Sequence, residues 1–186
     1  MLGLFFRAID HGTARQKMLC VILVAIVPVG IMFAAGTSGL RLNATPSVPT
    51  GLYWITSDPR AEFVEFCPPE PFATLSIERQ YRVRSSRGCP DGGVPLLKTI
   101  VAQAGDSVEF SSRGIYVNGI PIPNTAPKPQ DTAGRTLPHW PFGHYEVAPG
   151  TVWVASSFNS RSFDSRYFGP ISEAAIIHHL DAIWTE

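Results

Sequence analysis

The 186-residue chain reads as a mainly β protein: an open or barrel-like antiparallel β domain preceded by one N-terminal transmembrane helix. Three observations carry that reading. Met18 to Leu40 holds no charge, and Met18 to Ala35 is almost continuously apolar. From Arg41 onward, short β-prone runs alternate with proline and glycine. Within that region Asn118-Gly119 sits between two apolar runs, which specifies a tight hairpin.

The apolar run has the right length for a span. Eighteen helical residues reach about 27 Å, close to the hydrocarbon thickness of a bilayer. Pro28 and Gly30 would be costly in a soluble helix and are tolerated in a spanning one. Arg7, Arg15 and Lys17 precede the run, which favours a cytoplasmic N-terminus. The expected organisation is a cytoplasmic segment at 1–17, an anchor at 18–40 and an exported domain at 41–186. A cleavable export signal is the competing reading, since Ala34-Ala35-Gly36 offers small residues for cleavage, but the leader is long for one.

In the exported part, Leu52 to Thr56 and Phe63 to Phe66 read as strands, and Phe72 to Arg82 as a short helix or irregular excursion. Val94 to Ala102 is a long strand, followed by a turn at Gly105-Asp106 and a strand from Ser107 to Phe110. The hairpin around Asn118-Gly119 carries Pro121, which places it at a sheet edge. Ile122 to Pro141 holds five prolines and reads as a surface loop. Thr151 to Ala155 and Leu180 to Thr185 read as closing strands.

Composition excludes several functions. Fifteen basic and fifteen acidic residues leave no net charge, so nothing points to nucleic acid. Metal-ligand spacings are absent, and neither a metal nor a cofactor is expected. Cys20 falls in the anchor. Cys67 and Cys89 fall in the exported part, each beside proline, where an oxidising compartment permits them to pair.

Two residues carry candidate chemistry: Ser47, in Asn43-Ala44-Thr45-Pro46-Ser47-Val48-Pro49, and Lys98, the only charge between Asp91 and Asp106. A hydroxyl becomes a good nucleophile when a neighbouring base takes its proton. A free lysine is a poor base, neutral at pH 7 in about four molecules per ten thousand. Burial among Leu96, Leu97, Ile100 and Val101 penalises its charged form and can lower its pKa by up to roughly 3 to 5 units. The plainer alternative is a strand-edge lysine with its ammonium in water. Downstream, Ser162 to Pro170 is a polar cluster bounded by aromatics. In it Asp164 and Arg166 can pair, and a serine hydroxyl can aim the lysine amine.

Thr45 to Pro49, Leu97 to Val101 through Gly105-Asp106, and Ser162 through Gly169 resemble the serine, lysine and C-terminal boxes of type I signal peptidases. They occur in that order after an N-terminal anchor. The form NATPSVPTGLY looks more like the TraF-type conjugative-transfer peptidases than the general preprotein enzyme. The resemblance implies Ser47 as nucleophile, Lys98 as general base and Thr45 as an oxyanion-binding hydroxyl. It also implies Ser162 as the serine that orients the lysine, and Asp164 with Arg166 as a structural ion pair.

Two departures stand out: Ser156-Ser157-Phe158-Asn159 replaces a Gly-Asp-Asn stretch, and Pro46 limits the backbone donors around the oxyanion. The implied partners are an exported precursor, a conjugative pilin subunit, possible cyclisation of it, the bacterial inner membrane and other components of a conjugation or secretion apparatus. The implied place is the inner membrane, with the peptidase domain on the periplasmic side. Three other readings compete. They are a general signal-peptide-cleaving enzyme, a non-catalytic membrane-anchored β scaffold, and a Ser-His-Asp hydrolase using His139, His144, His178 or His179, for which no Gly-x-Ser-x-Gly elbow exists.

Overall fold

The computed structural model describes residues 13–37, 39–85 and 88–186, with the backbone alone at 28, 29 and 31–37. The chain divides into two compact units, 1–40 and 41–186.

In the first unit helix α1 spans Ala14–Thr37. It opens on a reciprocal cap. Thr13 N donates to Gln16 Oε1 at 2.8 Å and Gln16 N donates to Thr13 Oγ1 at 3.4 Å, which satisfies amides the first turn would otherwise orphan. Met18, Leu19, Val21 to Val24, Ile26 and Val27 are all exposed, so the helix from Met18 to Val27 is apolar around its whole circumference. Among the described residues, no helix is long and apolar enough to cross a membrane. The expected anchor at 18–40 extends past the described side chains of α1, and the expected segment 1–17 lies outside the described residues as far as residue 12.

The second unit is built of strands β1 (Leu40–Asn43), β2 (Gly51–Thr56), β3 (Phe63–Phe66), β4 (Leu96–Ala102), β5 (Ser107–Ser111), β6 (Gly114–Val117), β7 (Ile120–Pro121), β8 (Gly143–Glu146), β9 (Thr151–Ala155), β10 (Ile171–Ser172) and β11 (Ile176–Thr185), with short helices α2 (Phe72–Glu78) and α3 (Ser165–Phe168). They form two open sheets, ordered β1-β2-β11-β3-β4-β9-β10 and β7-β6-β5-β8. The C-terminal strand β11 enters between β2 and β3 and pairs antiparallel with both, Leu180 standing opposite Ile55 and Phe63.

Side chains alternate across a strand, and three apolar clusters form on the two faces of the larger sheet. Val64, Phe66, Leu96, Ile100, Val152 and Val154 share one cluster with Phe163, Tyr167 and Phe168. Trp153 and Ala155 point the other way, into a cluster with Val108, Phe110 and Ile115 of the smaller sheet. Strand β9 is therefore covered on both faces, which accounts for its unbroken apolar run. Val48, Tyr53 and Leu180 make the third cluster, with Phe63 and Leu97 packed against it.

The Asn118-Gly119 turn forms as the sequence predicts, with Val117 opposite Ile120 and φ of 49° and 80° at the two turn residues. The expected surface loop at 122–141 has no strand or helix, yet parts of it are buried. Leu137 joins the main core, Thr125 Oγ1 accepts from Ile115 N at 2.9 Å, and Trp140 N donates to Arg166 O at 2.8 Å. Scattered inward residues of this kind have no period for a sequence reading to detect.

Candidate active site

Ser47 sits in the loop between β1 and β2, and local hydrogen bonding holds that loop in shape. Asn43, buried at the end of β1, donates from Nδ2 to the carbonyls of Thr45, Val48 and Pro49 at 2.8, 3.2 and 3.0 Å. Its Oδ1 accepts from Thr45 N at 3.1 Å and from Thr45 Oγ1 at 2.8 Å. Val48 is fully buried beneath the loop, and Tyr53 OH donates to Pro49 O at 2.5 Å. The half-buried Ser47 is thereby turned toward β4.

Lys98 lies in the middle of β4, opposite Val64, and is 4% exposed. Alternation puts it on the same face as Leu96 and Ile100, over the main core, while Leu97 packs on the other side. Only some of the expected apolar neighbours therefore shelter it directly. The rest of the shelter comes from other strands through the cluster of Val64 and Phe66. Burial pulls its ammonium down to a pKa of about 8, with Asp164 pulling upward against it and Arg166 adding to the fall. At pH 7 roughly one molecule in ten then carries a neutral amine, against about four per ten thousand for a free lysine.

The serine and the lysine converge on one atom, the carbonyl oxygen of Leu97. Lys98 Nζ donates to it at 2.9 Å and Ser47 Oγ donates to it at 3.5 Å. The two side-chain tips therefore lie no further apart than the sum of those distances. Thr45 Oγ1 stands 3.3 Å from Ser47 Oγ.

Ser162 is buried and lines the same cavity as Ser47, Lys98 and Thr45, but its Oγ has no hydrogen-bond partner. The expected bond from Ser162 to Lys98 is not formed. Asp164 and Arg166 are fully buried and pair in bidentate fashion, Nε to Oδ1 at 2.7 Å and Nη2 to Oδ2 at 2.8 Å. The guanidinium also donates to the carbonyls of Asn124, Ser160 and Ser162, and the carboxylate accepts from Ser156 N at 3.1 Å. The pair ties three loop segments together around Ser162.

Cys67 and Cys89 are joined by a disulfide with 5.6 Å between Cα atoms. It closes the excursion containing α2 and Tyr81 to Val83, residues that wall the cavity on one side. The cavity holds about 600 Å³, enough for several residues of peptide, and its apolar walls include Leu42, Leu96 and Leu137. Among the described residues no histidine lines it. His178 Nδ1 is engaged with Glu65 at 2.9 Å, and His139 stacks on Phe142. Among the described residues, no group of three or more His, Cys, Asp or Glu is arranged to hold a metal.

Asn43 is the site residue that sequence reasoning missed. A short amide two residues before Thr45-Pro46 is a usable signal, because Asx side chains bond the backbone two residues on.

In comparison with known proteins, residues 13–185 match the family described as signal peptidase, peptidase S26. The chain is 35% identical over 167 residues to a plasmid transfer protein TraF of Escherichia coli, covering 87% of this chain and 92% of that protein. A probable conjugal transfer protein TraF of Sinorhizobium fredii (strain NBRC 101917 / NGR234) is 37% identical over 167 residues, 88% of this chain and 86% of that one. A conjugal transfer protein TraF of Agrobacterium tumefaciens (strain 15955) is 33% identical over 176 residues, 92% of this chain and 97% of that one. The crystal structure of a signal peptidase I from Enterococcus faecalis V583 matches 68% of this chain and 99% of its own at 17% identity, with a TM-score of 0.36, a likeness too loose to carry any of the assignment. On the family match and these relatives, the chain belongs to the signal peptidase family, peptidase S26.

Proposed function

We propose that the chain is a membrane-anchored serine endopeptidase with a Ser47/Lys98 dyad that cleaves an exported precursor, a conjugative pilin subunit. The carrying observation is the convergence of Ser47 Oγ and the buried Lys98 Nζ on Leu97 O. Neutral Lys98 takes the Ser47 proton, and the oxygen attacks a peptide carbonyl. The Ser47 backbone N–H and the Thr45 hydroxyl stabilise the oxyanion. Protonated Lys98 then gives its proton to the leaving amine. In its neutral form it afterwards activates the second nucleophile. Water at that step gives a hydrolysed product, and the substrate's own amine gives a cyclic one.

Family membership supports the peptidase chemistry, and the TraF relatives, named for plasmid and conjugal transfer, support the conjugation context. The exposed apolar surface of α1 supports an anchor in the inner membrane, with the β unit on the periplasmic side. Mass spectrometry of the pilin precursor, incubated with wild-type and Ser47→Ala protein, tests the reading. Wild type should produce a new species that Ser47→Ala does not, and the gain or loss of one water separates hydrolysis from cyclisation. Equal processing by both proteins would take the chemistry away from Ser47 and favour the histidine hydrolase, and conjugation undiminished by Ser47→Ala with no processing by wild type would favour the scaffold.

A further inference from the structure

Asn43 is more than a loop staple, and counting donors and acceptors shows why. The three carbonyls that its Nδ2 faces can only accept, and the Thr45 N–H that its Oδ1 faces can only donate, so the orientation of the amide is unambiguous. An amide oxygen has no proton to give. The 2.8 Å contact between Thr45 Oγ1 and Asn43 Oδ1 therefore uses the single hydroxyl proton of Thr45. Thr45 Oγ1 can then face Ser47 only as an acceptor, and across the 3.3 Å between them it competes with Leu97 O, 3.5 Å away, for the single Ser47 proton.

A Thr45 hydroxyl pointing at Asn43 is not available to an oxyanion. We propose that Asn43 is a positioning residue of the site, holding the Thr45 hydroxyl in a resting orientation from which it turns to the oxyanion as that charge develops. The inference rests on the peptidase reading above. The turn is inexpensive because Asn43 Oδ1 keeps the Thr45 N–H at 3.1 Å when the hydroxyl leaves, so no buried acceptor is orphaned. The two Nδ2 protons, shared among the three carbonyls, meanwhile hold the Thr45 to Pro49 backbone still, so only one side-chain torsion moves. A hydroxyl waiting at a fixed distance from the reacting serine is a preorganised donor.

The test is a double-mutant cycle on the full chain in detergent, using an internally quenched peptide with alanines before the scissile bond. Thr45→Val should lower kcat by about 100-fold. Asn43→Ala should lower kcat by about tenfold more in the Thr45 protein than in the Thr45→Val protein, with KM nearly unchanged, the loss common to both backgrounds being the part of the loop clamp that places Ser47. An equal loss in both backgrounds, an effect on KM alone, or no effect on kcat overturns the proposal.

Should Asn43→Ala fail to fold, the same cycle is run with Asn43→Gln. That variant keeps amide N–H groups for the loop carbonyls and moves the acceptor away from its place beside Thr45. Its kcat should fall further with Thr45 present than with Thr45→Val, and equal losses again overturn the proposal. Absence of any turnover by wild type would sink the peptidase reading and this inference with it.

Discussion

Ser47 and Lys98, fifty-one positions apart in sequence, hydrogen-bond the same backbone oxygen, that of Leu97, at 3.5 and 2.9 Å. The register of β4 places the lysine, and the Asn43-clamped loop places the serine. Substituting Lys98 should therefore damage chemistry and not folding. Lys98→Met should lower kcat by roughly 100- to 10,000-fold, the range of a general base. Burying the ammonium disfavours it by about 3 kcal/mol, so the same variant should be more stable at pH 7 by up to that amount. Peptide turnover and a melting curve on one preparation check both parts. A less stable, inactive Lys98→Met protein would mean that the lysine has a structural role.

Activity should rise with pH to a plateau as Lys98 passes through its pKa of about 8. Stability should follow a different window. With its pKa depressed in the folded state, Lys98 binds fewer protons than it does in the unfolded chain between pH 8 and about 10.5. Its penalty is thus fully present below about pH 8 and fades as pH rises toward 10.5. Urea midpoints from pH 7 to 10 should show this rising contribution in wild type and lose it in Lys98→Met. Identical pH slopes in the two proteins would contradict a buried, titrating amine.

Much of this site is legible in the sequence because it depends on residue types that stand out locally. A lone lysine in Leu-Leu-Lys-Thr-Ile-Val and a serine between prolines are visible without coordinates. The meeting point is not, because Leu97 contributes a backbone oxygen, which every residue has. The sheltering of Lys98 was legible only in part: Leu97 packs on the opposite face, and Val64 and Phe66 come from a strand more than thirty residues earlier. Strand β8, Gly143–Glu146, was missed because its four residues include only one apolar side chain and no period. The burial of Leu137 within a proline-rich loop was missed for the same reason.

Asp164→Asn should shift the activity profile as well as the melting temperature. It leaves Arg166, fully buried, facing a neutral amide, and breaking a buried pair of this kind costs about 3–5 kcal/mol. That corresponds to a fall in melting temperature of roughly 10 °C. Asp164 is also the charge that raises the pKa of Lys98, while Arg166 lowers it. Losing the anion and keeping the cation should move the midpoint of the pH–rate profile below pH 8. A destabilised variant with an unmoved midpoint would confine Asp164 to the architecture.

Ser162→Ala separates two roles that the resting structure keeps apart. The buried Oγ has no partner, so deleting it removes no hydrogen bond, and the melting temperature should not fall. If the hydroxyl orients Lys98 once substrate has bound, kcat should still drop by about tenfold, with the pH–rate midpoint little changed. Unaltered kcat would show that the serine only fills space beside the lysine.

Removing the disulfide should affect substrate binding more than chemistry. Cys67 and Cys89 are 22 positions apart, and closing a loop of that length constrains the unfolded chain by about 3 kcal/mol. Inside the loop, Arg82 is buried, pairs with Asp91 and donates to Ser76 Oγ and Ala73 O at 2.7 and 3.0 Å. The excursion therefore has bonds of its own and should loosen without unravelling. Tyr81 to Val83 wall the cavity, whereas Ser47 and Lys98 are held by other strands. The Cys67→Ser/Cys89→Ser protein should accordingly melt lower, with KM raised several-fold and kcat within about twofold of wild type. Loss of kcat at unchanged KM would mean that the disulfide-bounded wall reaches the reacting atoms and does more than hold the peptide.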